Sequence, residues 1–143
     1  MKSFQVSRQI PATAEQVWNV LTDAAQLASG PLGVTRIEGQ IALGQRLKLW
    51  TEATGSRAFA LKVTAMNAPH DMVWEGGMPL GLFRGLRRFT LKPTAGGVLF
   101  EMTEAFSGPL SPLVSRAIPD LTPSFERFAD GLSALAQKKG RPS

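Results

Sequence analysis

Three residue types are absent or nearly absent from this 143-residue chain, which has no cysteine, no tyrosine and a single histidine, His70. Without cysteine there is no disulfide framework, no thiolate nucleophile and no cysteine-ligated zinc or iron–sulfur site. One histidine does not build a His-rich metal site, and a serine-type triad would depend on His70 alone. The lack of tyrosine removes a common proton donor and favours binding over catalysis. We therefore expect no metal and no cofactor.

Long apolar runs are missing as well. No stretch approaches the roughly 18–20 apolar residues that a membrane-spanning helix needs, and Met1 leads into an alternating pattern rather than an apolar signal segment. Hydrophobic residues make up 43% of the chain and charged residues 19%, which is typical of a globular protein. We therefore expect a single domain over residues 1–143, located in the cytoplasm.

The charge balance is basic, but the cations are spread along the chain. Sixteen Lys and Arg oppose eleven Asp and Glu, which gives a net charge of +5. Such an excess favours a polyanionic partner, yet no recognised nucleic-acid-binding motif accompanies it. Cations are denser only between Arg84 and Lys92 and at Lys138, Lys139 and Arg141. We therefore expect no nucleic-acid partner.

The first thirty residues predict a strand followed by two short helices. Residues 4–10 alternate between apolar and other side chains, which is typical of a half-buried strand. Thr13 and Gln16 have the spacing of a capping box, which predicts a helix from about Ala14. Asp23 repeats the N-cap pattern and predicts a second short helix.

The middle of the chain reads as strands separated by Gly and Pro turns. The predicted strands are 33–39, 45–53, 57–66, 71–76, 83–92 and 97–107. The last two form a hairpin whose turn spans residues 93–97, where glycine supplies the positive φ that the turn needs. Both arms of this hairpin alternate apolar with polar residues, so one face of the sheet is buried.

The C-terminal third returns to helix. Ser111-Pro112 and Thr122-Pro123 each offer an N-cap followed by proline at the first helical position. The second pair begins an amphipathic helix that runs to about residue 138. This order of elements predicts an α+β fold with one antiparallel sheet and the helices segregated to one face. Because a six- or seven-stranded sheet curls, one long helix leaves part of its concavity unfilled, and we expect a cavity there.

Four stretches carry a resemblance to a known superfamily. They are residues 10–23, Val73-Trp74-Glu75-Gly76, residues 88–93 with the glycine hairpin, and residues 104–110. Together they resemble the START-related lipid-transfer and polyketide cyclase superfamily, often called SRPBCC, over essentially the whole chain. The resemblance implies the helix-grip fold, in which a curved sheet wraps the C-terminal helix.

The resemblance also implies a ligand class. Members of this superfamily enclose an apolar tunnel between the sheet and the long helix and bind lipids, sterols, polyketides or hormones there. A minority catalyse cyclisation, dehydration or hydrolysis. No catalytic motif is shared across the superfamily, so the fold narrows the ligand class and leaves the chemistry open.

Two charged residues fall on the predicted inner face of the sheet. If Phe89 and Phe100 face inward, the period of two places Arg87 and Glu104 on the same face. One hypothesis is that Glu104, withdrawn from water, acts as a general acid or base, or that Arg87 holds a ligand carboxylate. The alternative is a partly buried ion pair with a structural role.

Large apolar side chains complete the predicted site. They supply the core of any domain this size, and the superfamily resemblance implies that some of them line a ligand cavity instead. This predicted ligand-binding set is Phe59, Met72, Trp74, Phe89, Phe100, Met102, Leu121, Phe125 and Phe128.

A glycine-rich tract over residues 76–83 carries apolar side chains in a loop, where polar residues are usual. It is either a lid or membrane-touching tip, or a loop packed on the last helix. Its apolar residues are Met78, Leu80, Leu82 and Phe83. His70, by contrast, lies in a sequence typical of a turn, where histidines are mostly solvated.

Three functional hypotheses follow. The first is a monomeric or homodimeric protein that binds an apolar or amphipathic small molecule in order to carry, shield or sense it. The second is a metal-free cyclase, dehydratase or hydrolase that uses Glu104 with Arg87 or a water. The third is an interaction module whose apolar loop and basic strand transiently contact a membrane surface or a protein partner.

Overall fold

A computed structural model, which describes residues 3–52, 55–56, 58–77, 79–116 and 120–140, shows one seven-stranded antiparallel sheet and four α-helices in this part of the chain. The strands are β1 (Ser3–Ile10), β2 (Val34–Glu38), β3 (Arg46–Thr51), β4 (Phe59–Asn67), β5 (Asp71–Gly77), β6 (Arg84–Thr94) and β7 (Gly97–Ser107). The helices are α1 (Ala14–Leu21), α2 (Ala24–Leu27), α3 (Ser111–Ser115) and α4 (Thr122–Gly140). The strand order is β1-β7-β6-β5-β4-β3-β2, so the predicted α+β architecture is confirmed.

The predicted caps of the first two helices are present. The Thr13 hydroxyl accepts the Gln16 N–H at 3.1 Å, and the Gln16 side chain accepts the Thr13 N–H at 2.8 Å. This reciprocal pair satisfies two donors that the helix itself leaves free. The Asp23 carboxylate likewise accepts the backbone N–H groups of Ala25 and Gln26. Local sequence therefore determines where α1 and α2 begin.

The hairpin between β6 and β7 is tighter than predicted. β6 does not end at residue 92 but continues through Pro93 to Thr94, which leaves a turn of two residues. Proline is tolerated there because β5 pairs with β6 only as far as Thr90, so nothing on that side needs the missing N–H. At Pro93, β6 is thus unpaired on its β5 side, although it is a central strand over most of its length.

The start of α3 also differs from the prediction. The residue that precedes the helix is Leu110, and Ser111 is its first residue, buried and without a side-chain capping bond. The Ser111 N–H instead donates to the Gly108 carbonyl at 3.0 Å. The predicted continuation of this helix to Ile118 and Pro119 falls outside the described residues.

One hydrophobic core lies between the inner face of the sheet and the helices α1 and α4. The apolar face of α4 is formed by Phe125, Phe128, Ala129, Leu132 and Ala136, all buried as the helical spacing predicts. Close approach is made possible by Gly131, where a Cβ would lie 2.4 Å from the Pro31 carbonyl oxygen. The helix therefore packs directly on the loop that follows α2.

Candidate functional site

Most of the predicted ligand-binding residues lie in the packed core. None of the following is more than 4% exposed: Met72, Trp74, Phe89, Phe100, Met102, Phe125 and Phe128. Leu121 is half-buried against the same cluster. The Phe128 ring lies 6.0 Å from Phe89 and 6.3 Å from Phe100, and Trp74 meets Phe89 edge-on at 4.7 Å. These side chains contact one another and fill the middle of the space between sheet and helix.

Phe59 departs from this arrangement. It is the first residue of β4 and pairs with Leu49 of β3, which is 3% exposed, whereas Phe59 is 48% exposed. Phe59 is therefore not part of the packed core, and its role in ligand binding stays a prediction. It lies at the end of its strand, where the sheet opens to solvent.

The predicted charged pair forms on the inner face. Arg87 and Glu104 are direct partners in the β6–β7 register, and Nη2 of Arg87 donates to Oε2 of Glu104 at 2.5 Å. Their side chains are only 18% and 14% exposed, so the pair is largely withdrawn from solvent. The Phe125 ring of α4 covers the guanidinium, whose Cζ lies 5.0 Å from the ring centroid. The ion pair therefore joins β6 to β7, and the ring contact of Arg87 with Phe125 joins it to α4 at the edge of the core.

The pair belongs to a row that crosses four strands. In register, Trp74 of β5 pairs with Arg87, Arg87 pairs with Glu104, and Glu104 pairs with Phe4 of β1. Successive pairs in register share a face of the sheet, so these four side chains are neighbours. Phe4 comes from the first strand of the chain and Trp74 from the strand that precedes β6. The alternation within each strand does not reveal either residue as a neighbour of the pair.

In the adjacent row, β5 and β6 carry glycine at the positions where the first row has Trp74 and Arg87. Gly76 of β5 pairs with Gly85 of β6, which in turn pairs with Phe106 of β7. A Cβ at Gly85 would lie 3.4 Å from the Phe106 ring and 3.7 Å from Oε1 of Glu104. The Phe83 ring stacks on Phe106 with centroids 5.5 Å apart. Sequence reasoning missed the two glycines as site residues, although they align with the charged pair once the register is known.

Two buried donors next to the pair have no hydrogen-bond acceptor among the described residues. They are the indole Nε1 of Trp74 and Nε of Arg87. A buried donor without a partner is costly, so each of these groups needs an acceptor that the described side chains do not supply, such as a water or a ligand atom. A third such atom, Nε of Arg8, belongs to a separate ion-pair cluster with Glu126 and Asp130. The geometry around Arg87 thus suits a ligand group that accepts hydrogen bonds.

The apolar loop lies beside this end of the sheet. Leu80 is 96% exposed and Leu82 is 40% exposed, whereas Phe83 is half-buried through its stack on Phe106. The loop is fixed to the segment after β7, because Leu110 N–H donates to the Leu82 carbonyl at 2.8 Å. Met78 lies outside the described residues.

His70 does not join the site. It is exposed in the turn between β4 and β5, as its sequence context predicts, and its N–H donates to the Asn67 carbonyl at 2.8 Å. In the part of the chain that the structure describes, no three His, Asp or Glu side chains cluster closely enough to hold a metal ion. None of the described helices is long and apolar enough to cross a membrane.

Solved structures share this fold. Protein MLL2253 from Mesorhizobium loti is 20% identical, with a TM-score of 0.75 over 96% of this chain and 98% of that chain. Truncated norcoclaurine synthase from Thalictrum flavum is 18% identical, with a TM-score of 0.68 over 94% of this chain and 92% of that chain. The di-domain ARO/CYC StfQ from the steffimycin biosynthetic pathway is 12% identical, with a TM-score of 0.71 over 96% of this chain and 52% of that chain. At these identities the likeness shows the fold alone.

The family assignment comes from the sequence profile. No curated protein matches this chain significantly. The profile of a family described as polyketide cyclase / dehydrase and lipid transport matches residues 1–137, almost the full length. This match confirms the resemblance carried by the four sequence stretches. The chain belongs to the polyketide cyclase / dehydrase and lipid transport family.

Proposed function

We propose that this protein binds an amphipathic small molecule whose polar group is held by Trp74, Arg87 and Glu104 at the edge of the core. The observation that carries the proposal is the partly buried ion pair beside the unpartnered Trp74 Nε1–H, all in one row of the inner face. The family's description, which includes lipid transport, supports an apolar or amphipathic ligand class.

The charges in the site favour a neutral polar group on the ligand. Glu104 already compensates the charge of Arg87 at 2.5 Å, so a ligand carboxylate would meet a like charge at the same place. A carbonyl or hydroxyl oxygen accepts hydrogen bonds from Trp74 Nε1 and Arg87 Nε without adding charge. We therefore favour a ketone, an alcohol or a related oxygenated apolar molecule over a free fatty acid.

The apolar part of the ligand has a matching surface at the open end of the inner face. Leu61 pairs with Gly76, and both lie in the row that ends at Gly85 and Phe106. Leu61 is half-buried, and Phe59, two residues earlier on the same face, is 48% exposed. Because the middle of the core is filled by side chains, this strip is where an apolar body has room to bind.

Native mass spectrometry of freshly purified protein tests the proposal. We expect the wild-type protein to carry a small molecule at unit stoichiometry, and organic extraction then identifies its chemical class. Arg87→Met is expected to lose it, whereas Lys92→Met, which removes an exposed cation on the same strand, is expected to retain it. A wild-type mass without adduct, together with no thermal shift across a panel of oxygenated apolar compounds, would contradict the proposal.

A second candidate is an enzyme that uses Glu104 as a general acid or base. The specific observation is that Arg87 binds Oε2, while Oε1 lies on the Gly85 side of the carboxylate without a hydrogen bond to a described residue. A positioned carboxylate oxygen is what proton transfer to a bound ligand requires. Glu104→Gln keeps an acceptor for Arg87 and removes the base. If the wild type turns over the extracted molecule, and Glu104→Gln still binds this molecule but no longer turns it over, the protein is an enzyme rather than a carrier.

A further inference from the structure

A groove at the open end of the sheet has cations of the outer face along it and meets the inner-face row at Leu61 and Gly76. The groove has a volume of about 960 Å³ and crosses β3, β4 and β5. Its lining includes Arg46, Lys48 and Lys62, which alternate along their strands with buried inward-facing residues and therefore point outward. The same groove reaches the apolar loop at Gly81 and Phe83.

Three cations of this groove, Arg46, Lys48 and Lys62, form no salt bridge with a described acid. Lys48 lies opposite Glu38 in register and Lys62 lies opposite Glu75, but both acids bind arginines instead. Arg46 lies directly opposite Lys62 in the β3–β4 register, a like-charge pair that weakens strand pairing. The nearby acids are already engaged. Glu75 binds Arg84, with Nε of Arg84 2.7 Å from its Oε1, and Glu38 binds Arg36 at 2.9 Å. We call Arg46, Lys48 and Lys62 the unpaired cations.

An exposed apolar tip adjoins the groove. Leu80 is 96% exposed, Leu82 is 40% exposed and Leu113 of α3 is 67% exposed, and we call these three residues the apolar tip. They belong to one end of the molecule, because the Leu82 carbonyl accepts the N–H of Leu110, which directly precedes α3. Leu80 has a left-handed backbone with a φ of 62°, which is unfavourable for leucine.

The local backbone holds the tip in place. Gly108 has a φ of 101°, and a Cβ there would lie 2.7 Å from the carbonyl oxygens of both Gly81 and Leu82. Any larger residue would therefore push the loop away from the segment that leads into α3. A close contact between two loops thus fixes the backbone of Gly81 and Leu82 against the segment that leads into α3.

We propose that the apolar tip and the unpaired cations form a docking surface for an anionic lipid membrane. Exposed leucines insert favourably into the boundary between headgroups and acyl chains, while Lys and Arg nearby are attracted to anionic headgroups. A soluble acidic partner would satisfy the cations but would not explain three leucines projecting into water. The inference goes beyond the small-molecule site and does not require it to be occupied.

The docking surface is connected to the inner-face site through one residue. Phe83 follows the apolar tip in the loop and stacks on Phe106, which covers Gly85 beside Glu104. Leu80 and Leu82, which would insert into the membrane, lie in the same short loop as Phe83. Docking therefore places the edge of the inner-face site close to the lipid surface.

Vesicle co-sedimentation tests the docking surface. Vesicles of phosphatidylcholine alone are compared with vesicles that also contain phosphatidylglycerol, at low and at high salt. We expect binding to the anionic vesicles, weakened by salt. Neutralising Lys62 or Arg46 with Gln should lower the partition coefficient about fivefold each. Leu80→Ser should lower it about tenfold, because one leucine no longer leaves water.

Two control variants distinguish binding through this surface from binding through the overall positive charge or through any exposed leucine. Lys92→Gln removes an exposed cation near the opposite end of β6, and Leu43→Ser removes a leucine that is 61% exposed outside the tip. Both should bind like the wild type. Failure to bind anionic vesicles, or equal loss in the control variants, would overturn the proposal. Binding to soluble polyglutamate that is as strong as binding to vesicles would assign the cations to a protein partner instead. Ligand retention is measured separately by mass spectrometry, so the two proposals fail independently.

Discussion

Gly85 sets how closely Phe106 and Glu104 approach the floor of the inner-face site. Its φ is not positive, so the backbone itself accepts alanine, and the added methyl would meet the Phe106 ring at 3.4 Å and Oε1 of Glu104 at 3.7 Å. We expect Gly85→Ala to change the free energy of unfolding by less than about 1 kcal/mol and to abolish retention of the small molecule. Urea unfolding and native mass spectrometry measure the two effects.

The control for this substitution is Gly96→Ala in the β6–β7 turn. A Cβ at Gly96 would meet nothing within 4 Å, and its φ is not positive either. This variant should therefore keep both stability and ligand. Equal ligand loss in both variants, or full retention in Gly85→Ala, would mean that the ligand does not lie over Gly85.

The Arg87–Glu104 pair can be tested by a double-mutant cycle. Because both side chains are less than 20% exposed, removing one leaves the other as an uncompensated charge. We expect Arg87→Met and Glu104→Met to be coupled by about 2 kcal/mol in urea unfolding. A coupling energy near zero would show that the pair adds nothing to the folded state, and that its geometry is unimportant for stability.

Among the elements, α4 provides the sharpest test, because helix propensity and packing predict opposite changes in the free energy of unfolding for one substitution. Helix propensity favours alanine over glycine by about 1 kcal/mol. At Gly131, however, a Cβ would lie 2.4 Å from the Pro31 carbonyl oxygen. We expect Gly131→Ala to lower the free energy of unfolding by about 2 kcal/mol, since this contact is with backbone. Greater stability in the variant would contradict the direct packing of α4 on the loop after α2.

The elements themselves were largely predictable from local sequence. Thr13 with Gln16 and the alternation of β7 are short-range patterns, and both gave the correct structure. The predictions that β6 ends before Pro93 and that Ser111 is the N-cap of α3 were wrong, because the roles of both residues depend on tertiary context. Pro93 remains in β6 only because β5 stops short of it, and Ser111 enters α3 because Gly108 accepts its N–H. Single-strand patterns contain neither fact.

For the molecule as a whole, the packed interior makes a quantitative prediction. Phe128 contacts Phe89 and Phe100 and is 4% exposed. Phe128→Ala should cost about 4 kcal/mol, because it leaves a cavity in a filled core. Phe59→Ala, at a residue 48% exposed, should cost less than about 1 kcal/mol. A small loss at Phe128, measured by urea unfolding, would mean that the interior already contains open space.

The candidate site was only half predictable. The period of two placed Arg87 and Glu104 on one face, and the register confirms that they pair. The sequence did not identify Trp74, Gly76 and Gly85 as neighbours of the charged pair, because their proximity depends on the register of three strands. Whether large side chains fill or line a concavity is likewise decided by packing, which composition does not specify.

The proposed function requires that the Trp74 indole N–H donates to a neutral ligand beside Arg87. The chain has three tryptophans, so ¹H–¹⁵N spectra resolve three indole signals, assigned by Trp→Phe variants. The measurement is a titration with 2-decanone, compared with decanoate. We predict a saturable shift of the Trp74 signal with the ketone and a weaker one with the acid, while Trp50, paired with Arg36 on the outer face, stays unchanged. A Trp74 signal that stays fixed while mass spectrometry shows bound ketone would contradict the account.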